Sequence, residues 1–145
     1  MRRALRGAEV ITFNIGINDL GHAGEAYANG TCGGENDQEC LRAAVEKFEE
    51  NWDAIIAELS SLRSTDDTII RTAGLGYTPR VGEVYKPYLE GVDRHLATTA
   101  ASNDIPYAQP TLGEEYISPD GVHPNDKGYE VIADRLRALG YSPLD

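Results

Sequence analysis

The hydrophobic residues of the chain form three short runs and several longer stretches with helical spacing. The run from Val10 to Ile15 is β-branched and aromatic, which predicts a strand buried on both faces, as in a parallel sheet. The run from Thr68 to Ala73 has the same character and predicts a second buried strand. A third, short strand is predicted from Ile105 to Ala108, and Pro106 places it near the edge of the sheet.

Apolar residues between these runs recur at steps of three and four and predict amphipathic helices. The longest predicted helix runs from Leu41 to Leu62. Another begins at Pro87, since proline suits the first turn of a helix, and a final helix is marked by apolar residues from Tyr129 to Leu139. A short helix from Arg2 to Arg6 precedes the first strand. The Gly-rich, acidic segment from Gly21 to Glu39 predicts a long loop.

The alternation of strands and helices is typical of a layered α/β structure with a parallel sheet and right-handed crossovers. The chain has 145 residues, so we expect residues 1–145 to form a single domain. Three strands make a narrow sheet, because parallel sheets of this kind usually have more strands and helices on both faces. We therefore expect the second half of a larger fold, whose exposed sheet edge is covered in a homo-oligomer.

The net charge of the chain limits the classes of partner that it can bind. It contains 24 acidic and 13 basic residues, which gives a formal net charge of −11. Such a surface repels phosphate groups, and no basic cluster with interleaved aromatics is present, so we expect neither nucleic acid nor membrane as a partner. The sequence has no metal-ligand spacing and no phosphate-cradling glycine loop, so we expect no metal and no cofactor.

Two cysteines, Cys32 and Cys40, lie in a polar segment. An even number in such a segment is compatible with one disulfide, and the alternative is a pair of free thiols. A disulfide would imply an oxidising compartment. The arginines from Arg2 to Arg6 are followed by Glu9 and by no cleavage site, so we expect no signal peptide in this chain, and its localisation stays open.

Two polar clusters lie where α/β proteins bind ligands. The first, Gly16 to Asp19, follows the first predicted strand, and open α/β sheets bind ligands beyond the carboxyl ends of their strands. Asn18 can donate its side-chain amide to an oxyanion at that place. The alternative is that Asn18 and Asp19 only cap or turn the chain.

The second cluster, Ser118 to Asn125, precedes the last predicted helix. Asp120 and His123 are three residues apart, and Gly121 permits a tight bend between them. This spacing lets the carboxylate accept a hydrogen bond from Nδ1 of the imidazole, which leaves Nε2 free to act as a base. The alternative is a capping aspartate beside a surface histidine.

The two clusters, about a hundred residues apart, resemble the third and fifth conserved blocks of the SGNH, or GDSL-type, hydrolases. The third block corresponds to Val10–Leu20 and the fifth to Asp120–Asn125. The resemblance implies a flavodoxin-like three-layer α/β/α sandwich that hydrolyses carboxylic esters as an esterase or lipase. A small ester is the substrate that it implies.

The resemblance also assigns roles to individual residues. It implies that His123 is the general base, that Asp120 orients it, and that Asn18 is an oxyanion-hole donor. The loop between Cys32 and Cys40 is similar to the disulfide-bearing loop of some secreted members of the family, which suggests an extracellular protein.

The sequence departs from the family pattern in its missing blocks. The Gly-Asp-Ser block, which supplies the nucleophile, and the second block, which supplies an oxyanion-hole glycine, do not occur in these 145 residues. We therefore expect an N-terminally truncated fold that lacks two strands, an unknown nucleophile, and weak or no activity alone. Ser118 is near Asp120 but is not on a strand-to-helix turn. The alternative function is a non-catalytic α/β module that oligomerises or binds a partner.

Overall fold

A computed structural model describes residues 1–75 and 82–144. Its three strands form a parallel sheet in the order β1-β2-β3, with β1 at Val10–Phe13, β2 at Ile69–Ala73 and β3 at Tyr107–Ala108. The α-helices within these residues are α1 (Arg2–Arg6), α2 (Ile17–Ala28), α3 (Glu39–Leu62), α4 (Lys86–Ser102) and α5 (Asp126–Arg137). Short 3-10 helices lie at Glu35–Asp37 and Glu114–Tyr116.

The main hydrophobic core lies between the sheet and the pair of helices α3 and α4. Ile11 of β1 and Ile70 of β2 pack with Trp52 of α3 and Leu96 of α4, and Trp52 is only 1% exposed. Full burial of one such aliphatic side chain contributes about 1.5–3 kcal/mol. The apolar stripes that predicted these helices therefore face the sheet.

The opposite face of the sheet is covered by α5, which packs on β2 and β3. Arg71 of β2 donates from Nη1 to the carbonyl of Leu136 at 2.9 Å, and its guanidinium lies 5.6 Å from the centroid of the Tyr141 ring. Helices thus lie on both faces of the sheet. This arrangement confirms the α/β class with a parallel sheet and is consistent with an incomplete three-layer sandwich.

The prediction that the first strand is buried on both faces is wrong. Only Ile11 of β1 is buried, and Val10 is 46% exposed. In the described part of the chain, β1 pairs with β2 alone and therefore lies at the edge of the sheet. Because α5 packs mainly on β2 and β3, the face of β1 that carries Val10 is exposed; we call it the open side of β1.

The prediction of a loop from Gly21 to Glu39 is also wrong over its first part, because α2 continues to Ala28. Leu20 and Ala23 are buried on the side of α2 that faces α3, and Tyr27 packs near them. This apolar stripe stabilises the helix despite its internal glycines, since burial outweighs the weak helix propensity of glycine.

The loop that follows α2 is closed by a disulfide between Cys32 and Cys40. Cys32 is buried, and the Sγ atom of Cys40 lies 3.2 Å from the carbonyl oxygen of Ala23. Of the two alternatives for the cysteines, the structure has the disulfide. The bridge fastens the start of the loop, close to the end of α2, to the first turn of α3.

Candidate active site

The carboxyl ends of the three parallel strands lie at one edge of the sheet. Asn14, the first residue after β1, donates from Nδ2 to the carbonyl of Ala73 at 2.7 Å and to that of Gly74 at 3.2 Å. These bonds tie the end of β1 to the end of β2. The turn that carries Asn18 and the segment that leads from β3 to His123 therefore leave the sheet from the same edge.

The turn between β1 and α2 depends on Gly16. Its φ of 123° lies in a region that L side chains rarely adopt, and a Cβ there would lie 2.5 Å from Cε2 of Phe48. Because this glycine permits an abrupt turn, α2 begins at once and Asn18 falls in its first turn. The Asn18 side chain is exposed, and none of the residues that the structure describes hydrogen-bonds to it.

Asp120 and His123 form a hydrogen-bonded pair on the loop before α5. Nδ1 of His123 lies 2.8 Å from Oδ2 of Asp120, and the side chains of His123 and Asp120 are 67% and 51% exposed. The other carboxylate oxygen accepts from the backbone N–H of Val122 at 2.9 Å and from that of His123 at 3.0 Å. The sequence prediction that the spacing of three brings these side chains together agrees with this geometry.

The same bonds set the charge of the pair. The backbone N–H of Val122, then the backbone and imidazole of His123, lower the pKa of Asp120 to about 2. The carboxylate is therefore ionised at neutral pH and can only accept. In a neutral His123 the proton must then be on Nδ1, and the lone pair of Nε2 points away from the carboxylate. This is the protonation state that a general base needs.

The loop around the pair is closed by its own backbone. Ser118 donates its N–H to the carbonyl of His123 at 2.7 Å, and Gly121 donates to the carbonyl of Ser118 at 2.9 Å. The Ser118 hydroxyl donates to the carbonyl of Pro124 at 3.1 Å. This serine therefore serves the loop as a hydrogen-bond donor, and it does not sit on a strand-to-helix turn.

Sequence reasoning missed a polar network beside the ends of β2 and β3. Asp93 of α4 accepts from the backbone N–H of Leu75 at 2.6 Å and from Nε2 of Gln109 at 2.9 Å. The Tyr107 hydroxyl donates to Oε1 of Gln109 at 2.5 Å, and burial, followed by the nearby Asp93 charge, raises its pKa. Any Cβ at Gly74 would overlap this hydroxyl. The available signal was the spacing of two between Tyr107 in β3 and Gln109 just after it.

The structure brings some predicted site residues together and leaves one apart. Asp120 and His123 are bonded, whereas Asn18 shares the sheet edge and has no hydrogen bond to either of them among the described residues. Over residues 1–75 and 82–144, no group of three or more His, Cys, Asp or Glu side chains is arranged to hold a metal ion. Across the same residues, no helix has the length and apolar character needed to cross a membrane.

A parallel α/β fold with an aspartate–histidine pair after its last strand is an arrangement that α/β hydrolases use. The chain is a member of the GDSL-like lipase/acylhydrolase family, whose model matches residues 2–131. This match confirms the family resemblance found in the sequence.

Two individual relatives agree with this membership. The chain is 28% identical over 149 residues to the spore germination lipase LipC of Bacillus licheniformis, and the match covers 97% of this chain and 68% of the relative. It is also similar to the crystal structure of the lipase Lip_vut3 from a goat rumen metagenome. That comparison has a TM-score of 0.82 at 26% identity and covers 99% of this chain and 70% of the other.

Proposed function

We propose that the chain contributes the general base and an oxyanion donor to the hydrolysis of small carboxylic esters. The observation that carries this proposal is the bond between Nδ1 of His123 and an ionised Asp120, which directs Nε2 of a 67% exposed imidazole away from the carboxylate. Family membership supports the reaction type. In this proposal residues 1–145 act as one domain.

The proposed mechanism uses three side chains. Nε2 of His123 takes the proton from an attacking hydroxyl as its oxygen bonds to the ester carbonyl. The carbonyl oxygen becomes an oxyanion, to which the Asn18 amide donates a hydrogen bond. The imidazolium is stabilised by Asp120, and it returns the proton to the departing alkoxide when the tetrahedral intermediate collapses.

The attacking hydroxyl has two possible sources. If a serine from another segment or chain supplies it, an acyl-enzyme forms and water then releases the acid. If His123 activates water directly, the acid and the alcohol form in one displacement. Loss of a triad nucleophile typically leaves only a small part of the catalysis, so we expect slow turnover from these 145 residues alone.

Hydrolysis of p-nitrophenyl acetate and butyrate by the purified chain tests the proposal. His95 offers a matched control, because its Nε2 lies 2.8 Å from Oδ1 of Asp53, far from the His123 loop in sequence. We expect His123→Ala to abolish saturable turnover and His95→Ala to retain it. Equal loss in both variants, or equal rates in wild type and His123→Ala, would contradict the proposal.

A second candidate function is self-association at the open side of β1. The strand carries no charged residue or proline of the kind that blocks edge pairing, and Val10 is exposed. We propose a second copy of the chain as the occupant, because a two-fold axis would pair β1 with itself and so give each unpaired edge a complementary partner.

Light scattering coupled to size exclusion tests this association. Val10→Lys places a charge on the open side of β1, and Val122→Lys is its control, since these valines are 46% and 44% exposed. We expect a dimer that persists in Val122→Lys and dissociates in Val10→Lys. A wild-type monomer at all concentrations would rule out the second candidate, whereas a dimer without ester hydrolysis would favour it over the first.

A further inference from the structure

The His123 imidazole is not held in place by packing. It is 67% exposed, and its carboxylate partner is half-exposed. An exposed side chain samples several rotamers unless hydrogen bonds fix it. The position of the ring therefore depends on the shape of the loop from Ile117 to Asn125, which carries both members of the pair.

The two arms of this loop meet at its base. Ile117 and Pro124 form an isolated antiparallel bridge, and the N–H of Asn125 donates to the carbonyl of Tyr116 at 2.8 Å. These bonds join the arm that follows the 3-10 helix to the arm that enters α5. They place the base of the loop directly against the first turn of that helix.

The Asn125 side chain connects all the parts that meet at this base. Its Nδ2 donates to the carbonyl of Glu115 at 2.8 Å and lies 3.5 Å from that of Ile117, at the limit of a hydrogen bond. Its Oδ1 accepts the N–H of Gly128 at 3.1 Å and so caps α5. Gly128 is buried beneath the loop, where a Cβ would lie 2.8 Å from Cβ of Pro124.

We propose that Asn125 is a positioning residue for the base: its amide group ties both arms of the loop to α5 and thereby holds the His123 imidazole against Asp120. The cap of α5 requires only the oxygen, which aspartate or serine would also supply. The N–H donors on Nδ2 are the feature that aspartate and serine lack at this position. The inference deepens the proposed function and rests on it for its catalytic meaning, but its geometric content can be measured without turnover.

The tautomer of the imidazole gives that measurement. Nitrogen-15 shifts of the ring distinguish a proton on Nδ1 from one on Nε2. In the wild type we expect neutral His123 to carry its proton on Nδ1 and neutral His95, whose Nε2 faces Asp53, to carry it on Nε2. The two histidines thus give opposite signatures in one spectrum, and His123→Ala assigns the signal.

Asn125→Asp keeps the capping oxygen and removes both donors, so it isolates the proposed interaction. Asn103→Asp is the matched control, because Asn103 is also half-buried and donates from Nδ2 to a backbone carbonyl, that of Thr99 at 2.9 Å. We expect Asn125→Asp to raise the Nε2-protonated fraction of His123 at least about threefold, and Asn103→Asp to leave it unchanged at a similar loss of thermal stability. Where turnover is measurable, kcat should fall about tenfold with little change in KM, because a displaced base weakens the chemical step.

A wild-type tautomer ratio in folded Asn125→Asp, or an equal change in Asn103→Asp, would overturn the inference. If Asn125→Asp does not fold, Ser118→Ala removes a single bond of the same loop, the one to the Pro124 carbonyl, and should produce a smaller shift in the same direction. No shift in that variant would also overturn it. A shifted tautomer in a chain without ester hydrolysis would uphold the inference while the proposed function fails.

Discussion

Replacement of Gly16 by alanine tests whether the turn that presents Asn18 is fixed by backbone conformation and by contact with Phe48. The φ of 123° is unfavourable for alanine, and residues in such regions cost about 1–3 kcal/mol. The new Cβ would also lie 2.5 Å from the Phe48 ring, and overpacking of this kind costs about 1–3 kcal/mol. We therefore expect a loss of about 2–6 kcal/mol, a large share of the ~5–15 kcal/mol that stabilises a domain.

Urea unfolding measures this loss, and Gly21→Ala is the control. Gly21 lies within α2, and a methyl group added there would meet no atom within 4 Å outside its own stretch of helix, so alanine should stabilise the helix by about 0.8–1 kcal/mol. In a background of Phe48→Leu, the steric part of the Gly16→Ala cost should shrink. The double variant should therefore lose less free energy of unfolding than the two single variants lose in total. A Gly16→Ala chain within about 0.5 kcal/mol of wild type would show that neither the φ of Gly16 nor its contact with Phe48 fixes this turn.

Three further predictions concern the loops. Replacing both Cys32 and Cys40 by serine should cost about 2–3 kcal/mol in urea unfolding, because a short closed loop is released in the unfolded state, and an unchanged midpoint would contradict this. The carboxyl of Asp120 should titrate near pH 2 when it is followed by carbon NMR. Because its pKa is lowered from 3.8, its contribution to stability is complete above about pH 4 and is lost as the pH falls towards 2. A titration midpoint near pH 4 would contradict the hydrogen bonds to this carboxylate. Gly128→Ala should cost about 1–3 kcal/mol and raise the Nε2-protonated fraction of His123, whereas an unchanged tautomer would show that the loop does not depend on this close approach.

The elements that the sequence predicted well are those whose pattern is local. The apolar residues of α3 keep their helical spacing over many turns, and those of β2 form a uniform run, so each pattern predicts its element without tertiary information. The helix α2 was missed because its glycines lower helix propensity, while the burial of Leu20 and Ala23 that offsets them depends on α3. The exposure of β1 was missed because an apolar run is the same at the centre and at the edge of a sheet.

In the candidate site, too, the local contacts could be predicted from the sequence and the tertiary contacts could not. The bond between Asp120 and His123 joins residues three apart, so spacing alone could predict it. The bonds of Asn14 to carbonyls 59 and 60 residues away, and those of Asn125 to the opposite arm of its loop, depend on tertiary contacts with backbone atoms. Backbone carbonyls have no residue-specific signal, so these two asparagines could not be distinguished from ordinary turn residues in the sequence.

The proposed function requires that Asn18 and His123 act on one substrate at the carboxyl edge of the sheet. Titration with butyrate, a product of ester hydrolysis, tests it directly when the Asn18 side-chain amide and the three imidazoles are followed together by nitrogen-15 NMR. We expect the Asn18 and His123 signals to shift in parallel with one dissociation constant, while the His95 signal stays unchanged. Separate dissociation constants for Asn18 and His123, or an equal response of His95, would contradict it.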